Sequence, residues 1–558
     1  MSRSLTPFLQ RHELIGTRLA WAVTGFVFLA LVVTLFRSGQ RPKGYPPGPP
    51  TLPIIGNLHQ FPRKDFHVQF QKWTQEYGPV VSLKLGNQTM ILLGSATSVN
   101  DLLEKKGSIY STRLDTFYQE FGEGLNIAFR KYDDVLRRFR KVYAMRLTGK
   151  LANNYLPYQY FETSQLLYEV LNSPENFMHH LERFTISIGS TIAFGKRIPS
   201  SDIPQVKTLM EWFRRAVLAG GKIQVADWWP FLRPFIRIIP KFVLPLKGEL
   251  DTLYHMEVDL WANLTSTTRE QMRQGRFVPS LCRDMIAQAA SGKKDALNDR
   301  EILYNSGHAW AAATDTQSNT LNGFVKAMVL FPQVQAKAWA EINRVIGSDR
   351  LPEWSDRDSL PYMRRCVEET LRWCPPTITG GPMPHCVSKT DTYMGYVIPA
   401  GAGVINCVWT INNDPSRYPN PREFDPERYS EDAIAPEGIS VSTNYSVRPH
   451  VTFGAGRRIC PGSYVAERTL FIAMCRLIWA FKFDYKRDAS GHTKPIDRDA
   501  MTEGLVVGPA PFECDIKPRD EKRIATILKM YAEMSQHLDQ NGNYKDEFFK
   551  KHWSGKNL

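Results

Sequence analysis

The chain has 558 residues, of which 43% are hydrophobic and 23% charged. That is enough apolar content for a large buried core, and it excludes global disorder. The net charge of +14 suits nucleic acid, an anionic membrane face or an acidic protein partner. No zinc-finger or RNP-like pattern occurs, so nucleic acid is the weakest of the three. None of the eight cysteines precedes Cys282 and no pair is spaced C-x-x-C. A zinc site, a thioredoxin-type motif and a disulfide framework are therefore unsupported.

At the amino end, Leu19 to Phe36 is eighteen residues without a charge, between Arg18 and Arg37. That is near the length that crosses a bilayer. No small-x-small cleavage site follows, so it reads as an anchor rather than a removed signal. Tyr45-Pro-Pro-Gly-Pro-Pro50 is a stiff spacer after it. Three basic residues lie on each side of the apolar run, so charge does not fix its orientation. The chain thus divides into an N-terminal segment (1–18), an anchor (19–36), a basic, Pro-rich hinge (37–50), a main body (51–518) and a charged tail (519–558).

In the body, Lys64 to Tyr77 has helical spacing, and Gly78 ends it. Val80 to Leu85 and Thr89 to Leu93 read as a hairpin around Gly86-Asn87. Ala96 to Glu104 is again helical. Ser111 to Arg130 is a loop rich in aromatics, including Phe117, Tyr118, Phe121 and Phe129. So apolar a loop packs on the body or lines a pocket. Arg130 to Leu147 is a basic helix with Arg137, Arg138, Arg140 and Lys141; most of these read as a solvated face, suited to an acidic partner. Tyr155 to Gly292 is mostly helical. Within it, the aromatic, proline-broken stretch Trp228 to Pro240 fits core packing or a membrane interface equally.

Asp299 to Val329 reads as one long helix containing Ala312-Ala-Thr-Asp-Thr316. An acid beside an alcohol in mid-helix runs against propensity, because both compete for backbone bonds. Taken alone it is a surface Asp and a Thr bonded back to its own helix. His308 and Trp310 precede the pair at helical spacing and face either the core or a ligand. Tyr362 to Trp373 is a helix on which Glu369 and Arg372 share a face and can pair. Tyr396 to Pro399 and Gly403 to Trp409 read as strands. Pro426-Glu-Arg-Tyr429 comes next. Then Phe453-Gly-Ala-Gly-Arg-Arg-Ile-Cys-Pro-Gly462 sets Cys460 in a tight Gly/Pro turn before a helical run from Tyr464 to Phe481. A helix N-terminus lowers a neighbouring thiol's pKa, so this loop suits a thiolate.

Phe453, Gly456, Arg458, Cys460 and Gly462 fit F-x-x-G-x-R-x-C-x-G. By chance such a match arises on the order of once in a few thousand chains of this length. The string resembles the haem-binding loop of the cytochrome P450 family, microsomal type. The resemblance implies a mainly α fold with small β-sheets, a triangular body whose helices sandwich haem, behind one N-terminal transmembrane helix. It implies haem b, with Cys460 as iron ligand. Phe453 and Gly454 lie in the binding loop, and Arg458, Arg140 and His385 sit on the propionates. The family's W-x-x-x-R has Leu136 in the Trp position here. Its A/G-G-x-D/E-T pattern has Ala313 in the glycine's place, which is expected to narrow the oxygen groove slightly. Thr316 and Asp315 take the roles of hydroxyl donor and proton relay, and Ala312 leaves room beside them. Glu369, Arg372 and Arg428 form a structural network.

The same resemblance places Phe117, Phe121, Trp310, Ala312, Ile378 and Leu505 at a pocket for an apolar or aromatic substrate. It implies a body on the cytosolic face of the endoplasmic reticulum membrane. Without a dinucleotide G-x-G-x-x-G after a strand, electrons must come from NADPH through a separate reductase, with a small electron-transfer haem protein as a further partner. Pro382-Met-Pro-His385 and the Asp515 to Arg519 ending resemble fungal members that oxidise secondary metabolites. The alternatives are a haem-thiolate isomerase or dehydratase and a haem-binding sensor or electron-transfer protein. The pair Asp315-Thr316 argues against both.

Overall fold

The structure is a computed structural model. It describes residues 21–553 apart from 27–28, 31, 35, 63, 382, 431–444 and 446–447. The expected anchor, 19–36, therefore lies partly outside the described residues. Its described residues are helical, with Trp21, Phe26 and Leu29 exposed. Among the described residues no helix is long and apolar enough to cross a membrane.

The hinge is strapped down. Arg41 donates to the carbonyls of Gly48 (2.9 Å), Pro49 (2.7 Å) and Ser82 (3.0 Å), and to Ser82 Oγ at 3.0 Å. The strap ties the proline run to the first strand of the main sheet.

The longer helices are α1 (Phe66–Tyr77), α2 (Asp134–Arg146), α3 (Leu156–Asn172), α4 (Phe177–Phe194), α5 (Pro204–Ile223), α6 (Pro245–Arg273), α7 (Leu281–Ala290) and α8 (Asp299–Leu330). After them come α9 (Pro332–Ile346), α10 (Pro361–Trp373), α11 (Ser463–Ala480), α12 (Glu521–Ser535) and α13 (Asp546–Trp553). The predicted helix over 130–147 begins later because the Asp133 carboxylate caps it, accepting from Leu136 N–H at 2.9 Å. The predicted helix over 96–104 holds for one turn, Ala96–Val99, and then widens into a π-type turn. α8 starts at a capping box formed by Asn298 and Glu301. It runs through the middle of the helical layer, against α4 and α6 on one side and α11 on the other. Nearly all of it is buried, so its few open positions mark the site.

Strands β1 (Val80–Leu85) and β2 (Gln88–Leu93) form the expected hairpin, with Gly86 at φ +59°. They join β3 (Thr112–Arg113), β4 (His385–Cys386) and β7 (Gly403–Asn406) in a sheet ordered β1-β2-β7-β4-β3. β5 (Asp391–Tyr393) pairs with β6 (Tyr396–Ile398), and β8 (Phe481–Tyr485) with β9 (Cys514–Pro518). The predicted strand over 403–409 stops at Asn406 and turns into the short helix Val408–Asn412. In the main sheet Arg113 sits directly across from His385.

The charged tail is not a solvated extension. Tyr544, Phe548, Phe549 and Trp553 are buried, with Tyr544 and Phe548 stacked at 4.5 Å and packed on Tyr158 and Phe161 of α3. Beneath them Glu162 accepts from Arg183 (2.6 Å), Arg197 (2.7 Å) and the Tyr544 hydroxyl (3.2 Å). The charges of the segment face out and its aromatics face in, a pattern that net composition hides.

Candidate active site

The Cys460 loop owes its path to glycine. Gly454 and Gly456 have φ of +78° and +59°, and a Cβ on Gly456 would lie 2.0 Å from the Leu103 carbonyl oxygen. Cys460 N–H donates to Phe453 O at 2.9 Å, closing the turn just before α11. The thiol departs from expectation. Burial pushes it up, and only in part do the Gly462 N–H and the charge of Arg140 oppose that. The helix end alone does not make a thiolate here. A metal ion would.

α10 braces this loop. Glu369 and Arg372 are fully buried, and Arg372 donates to both Glu369 carboxylate oxygens at 2.7 Å. Arg428 (3.1 Å), the Tyr429 hydroxyl (2.9 Å) and Asp425 N–H (2.9 Å) donate to the same carboxylate. From there the bonding continues to the loop. Arg372 donates to Asn412 O at 2.8 Å, the Asn412 side chain holds Val451 N–H and Thr452 Oγ1 at 3.1 Å each, and Thr452 Oγ1 donates to Leu371 O at 2.6 Å. Phe453 follows directly.

Beside the loop the structure gathers cations, with Asp133 close enough to act on Arg458 but not paired with it. Arg140 donates to Ile459 O at 2.7 Å. Arg458 donates to Ser111 O (2.7 Å) and Arg130 O (2.5 Å). Arg113, a residue the sequence reading did not single out, donates to Met383 O at 2.6 Å while its Nε has no partner. Burial, then the charges of Arg458 and Arg140, hold Arg113 down to about 9; burial, then Arg140, hold Arg458 to about 10. His385 is pushed well below its ordinary range by burial and Arg113, and its Nδ1–H donates to Tyr110 O at 2.8 Å. No carboxylate pairs with Arg113, Arg140 or Arg458 among the described residues. Three guanidiniums near one another, Arg113 buried and Arg140 and Arg458 half-buried, fit a ligand that carries negative charge. A thiol and this donor set beside it fit an iron porphyrin with two carboxylates. Arg113 left no local signal, because its meaning depends on the pairing of β3 with β4.

Away from its ends, the open positions of α8 are Ala309, Ala312, Ala313, Asp315, Thr316 and Asn319, with Ala312 exposed in mid-helix. An exposed alanine there faces a cavity. The Thr316 hydroxyl donates to Ala312 O at 2.7 Å, keeping its lone pairs free. Burial, with Glu182 of α4 adding to it, raises the Asp315 carboxyl to about 6. Ala313 does not narrow the groove. Its methyl turns toward α4, where a Cβ on Gly189 would lie 3.1 Å from it.

The substrate-pocket expectations divide. Ala312 and Leu505 are exposed and Phe121 is partly open. Trp310 does not face a substrate: it is fully buried, with its N–H donating to Ile186 O at 3.1 Å. Phe117 packs under Trp212 and Leu250, and Ile378 under Trp409 and Val507, each with almost no exposed surface. All three are packed among other protein side chains. His308 is likewise internal, between Tyr304 O (2.8 Å) and Glu257 (3.1 Å). The segment 377–381 does reach the loop: Thr377 Oγ1 donates to Thr452 O at 3.1 Å, and a Cβ on Gly454 would lie 3.4 Å from Gly380 O.

These features fit a protein that would hold an iron porphyrin through a cysteine. Residues 46–515 match the family model described as Cytochrome P450, so the chain belongs to that family and is a cytochrome P450 monooxygenase. It is 40% identical over 533 residues to cytochrome P450 monooxygenase virE of Hypocrea virens, covering 94% of this chain and 95% of the relative. It is 36% identical over 529 residues to cytochrome P450 monooxygenase fogE of Aspergillus ruber, covering 93% and 96%. Among solved structures, a zebra fish cytochrome P450 with abiraterone superposes with a TM-score of 0.63 at 22% identity, covering 81% of this chain and all of that one. The mainly helical fold with small sheets is therefore shared.

Proposed function

We propose that the protein inserts one oxygen atom from dioxygen into an apolar or aromatic small molecule, as a step of fungal secondary metabolism. Electrons come from NADPH through a separate reductase. The observation that carries the reading is the open stretch of α8, where Ala312, Asp315 and Thr316 keep accessible surface in the middle of an otherwise buried helix. The fungal monooxygenases that resemble the chain along most of its length support it. When bound, thiolate-ligated haem supplies the activation of dioxygen. Cys460 would hold the iron and Arg113, Arg140, Arg458 and His385 the propionates, with Phe453 and Gly454 shaping the loop. Asp315, near 6, can take up and release a proton close to neutral pH, and Thr316 can turn its hydroxyl outward to hold a hydrogen bond.

The same reading puts the body at the cytosolic face of the endoplasmic reticulum, held by 19–36. The uncharged run itself supports this, as do the exposed Phe235, Ile238 and Phe242 of the 228–243 stretch. Exposed Arg137 suits an acidic reductase.

The test is NADPH consumption with added reductase across a broad substrate panel, together with the reduced carbon monoxide spectrum. Substrate-dependent consumption is expected, along with loss of the thiolate-type band in Cys460→Ala. A normal band with no coupled consumption would favour an isomerase, dehydratase or sensor. An unchanged band in the variant would remove Cys460 as ligand. Cell fractionation of the full chain and of a chain lacking 1–36 tests the anchor: equal recovery in the membrane pellet refutes it.

A further inference from the structure

A second polar cluster lies some distance along α8 from Thr316. A cavity of about 40 Å³ is bounded there by Tyr118 and Phe121 of the 117–126 loop, Tyr254 and Glu257 of α6, and Tyr304 of α8. A space of that size admits a few water-sized groups. Tyr304 is almost wholly buried, yet its hydroxyl has no hydrogen-bond partner. Beside it, Glu257 contacts His308 Nε2 at 3.1 Å through one carboxylate oxygen. His308 Nδ1 faces the Tyr304 carbonyl at 2.8 Å, which can only accept, so Nδ1 carries a proton. The Glu257–His308 contact then needs one shared proton. It leaves the other carboxylate oxygen without a hydrogen bond among the described residues.

The outer rim of the cavity is tied shut. Glu123 accepts from the Tyr254 hydroxyl at 2.6 Å and from Arg300 Nε at 3.0 Å, which joins the loop to α6 and α8. Gly122 and Gly124 flank Glu123, and Gly124 has φ +62°.

An unpaired buried hydroxyl costs folding free energy that an apolar residue would not. Phenylalanine would fill the Tyr304 site equally well, so the hydroxyl has no purpose within the fold. We propose that Tyr304 and Glu257 form a subsite that binds a hydroxyl group of the substrate, donating through Tyr304 and accepting through Glu257. This rests on the monooxygenase reading above. Tyr304 and Thr316 are twelve residues apart, about 18 Å along the helix. A substrate bound this way is elongated, with an apolar or aromatic body, and is oxidised at the end remote from its hydroxyl.

The test uses the haem-loaded full chain, with para-phenylphenol and biphenyl as probes that differ only by a hydroxyl. Binding is read by calorimetry and by the shift of the haem absorption band. Wild type should bind the phenol about tenfold more tightly than biphenyl. Tyr304→Phe and Glu257→Gln should each bring the two affinities together, and Tyr304→Phe should melt no lower than wild type. Equal affinities in wild type, no measurable binding of either probe, or an unchanged preference in both variants would overturn the subsite. A Tyr304→Phe variant that melts well below wild type would make the hydroxyl structural and also overturn it. A wild type without the thiolate-type carbon monoxide band would instead overturn the haem-thiolate reading, so the two failures are distinguishable.

Discussion

Arg113→Leu should move the stability of the haem-free and haem-loaded protein in opposite directions. In the haem-free chain the Arg113 guanidinium is buried, keeps one bond to Met383 O, leaves Nε unpaired and faces Arg458 and Arg140. Its pKa is held down to about 9 by burial first and then by those two charges. A guanidinium remains protonated at neutral pH, so a fall of that size from its ordinary value opposes folding by roughly 5 kcal/mol as an upper bound. Leucine removes this cost and keeps much of the apolar stem. It gives up the bond to Met383, worth about 2 kcal/mol from a charged donor. The haem-free protein should therefore gain about 2 kcal/mol. With haem bound, the same cation has a carboxylate partner, and its removal leaves that anion unpaired. Haem affinity should fall by about 3 kcal/mol, about a hundredfold, which leaves the haem-loaded protein about 1 kcal/mol less stable than wild type. Urea unfolding of both forms, with haem transfer to an acceptor globin, measures the two numbers. Equal destabilisation of both forms would show that Arg113 is structural, and the anion-binding argument would fail.

Glu369→Gln strands two buried arginines and should cost about 4 kcal/mol, lowering haem retained per chain; a variant that keeps both stability and haem refutes the bracing role. For Asp315 the folded pKa of about 6 lies above the unfolded value near 3.9, so the folded state binds the proton more tightly. The resulting penalty is absent below the unfolded pKa and complete once pH exceeds the folded one. Asp315→Asn should therefore stabilise by up to about 3 kcal/mol near pH 8 and leave stability nearly unchanged near pH 3; equal gains at both would contradict the burial argument. Phe548→Ala should cost about 3 kcal/mol by thermal or urea melting, because the ring is buried between Tyr544, Tyr158 and Phe161. A change under about 0.5 kcal/mol would mean that the C-terminal segment is solvated after all.

Residues whose meaning is local were legible in the sequence. The glycines around Cys460 carry their own backbone requirement, and Glu369 with Arg372 needs only helical spacing to pair. The hairpin at Gly86-Asn87 and the long α8 likewise follow from turn chemistry and period. Residues whose meaning depends on a distant neighbour were not legible. Trp310 and His308 lie on the same helix as Thr316, and spacing alone could not say that they turn toward α4 and α6. Arg113 acquires a role only because β3 pairs with β4 and brings it across from His385. The tail misled through its composition, since its charges outnumber the aromatics that anchor it.

The two places where the chain departs from the family's pattern show the same division. The sequence marks Ala313 as a bulkier residue where a glycine is usual, and so as a threat to the groove. The structure puts the small residue on the other helix: Gly189 of α4 receives the Ala313 methyl, and Ala312 stays exposed. Leu136 likewise lacks the donor that a tryptophan would offer, and it is buried as an ordinary apolar residue. The cation that makes up the donor set arrives from β3 as Arg113, whose unpaired Nε points to a ligand rather than to a protein partner. In both cases one element departs from the family motif, and an element packed against it compensates. Restoring glycine at 313 should therefore leave a void against Gly189 rather than widen the space beside Thr316. It should lower stability by about 1 kcal/mol, the ordinary helix cost of glycine for alanine, without improving the binding of larger substrates.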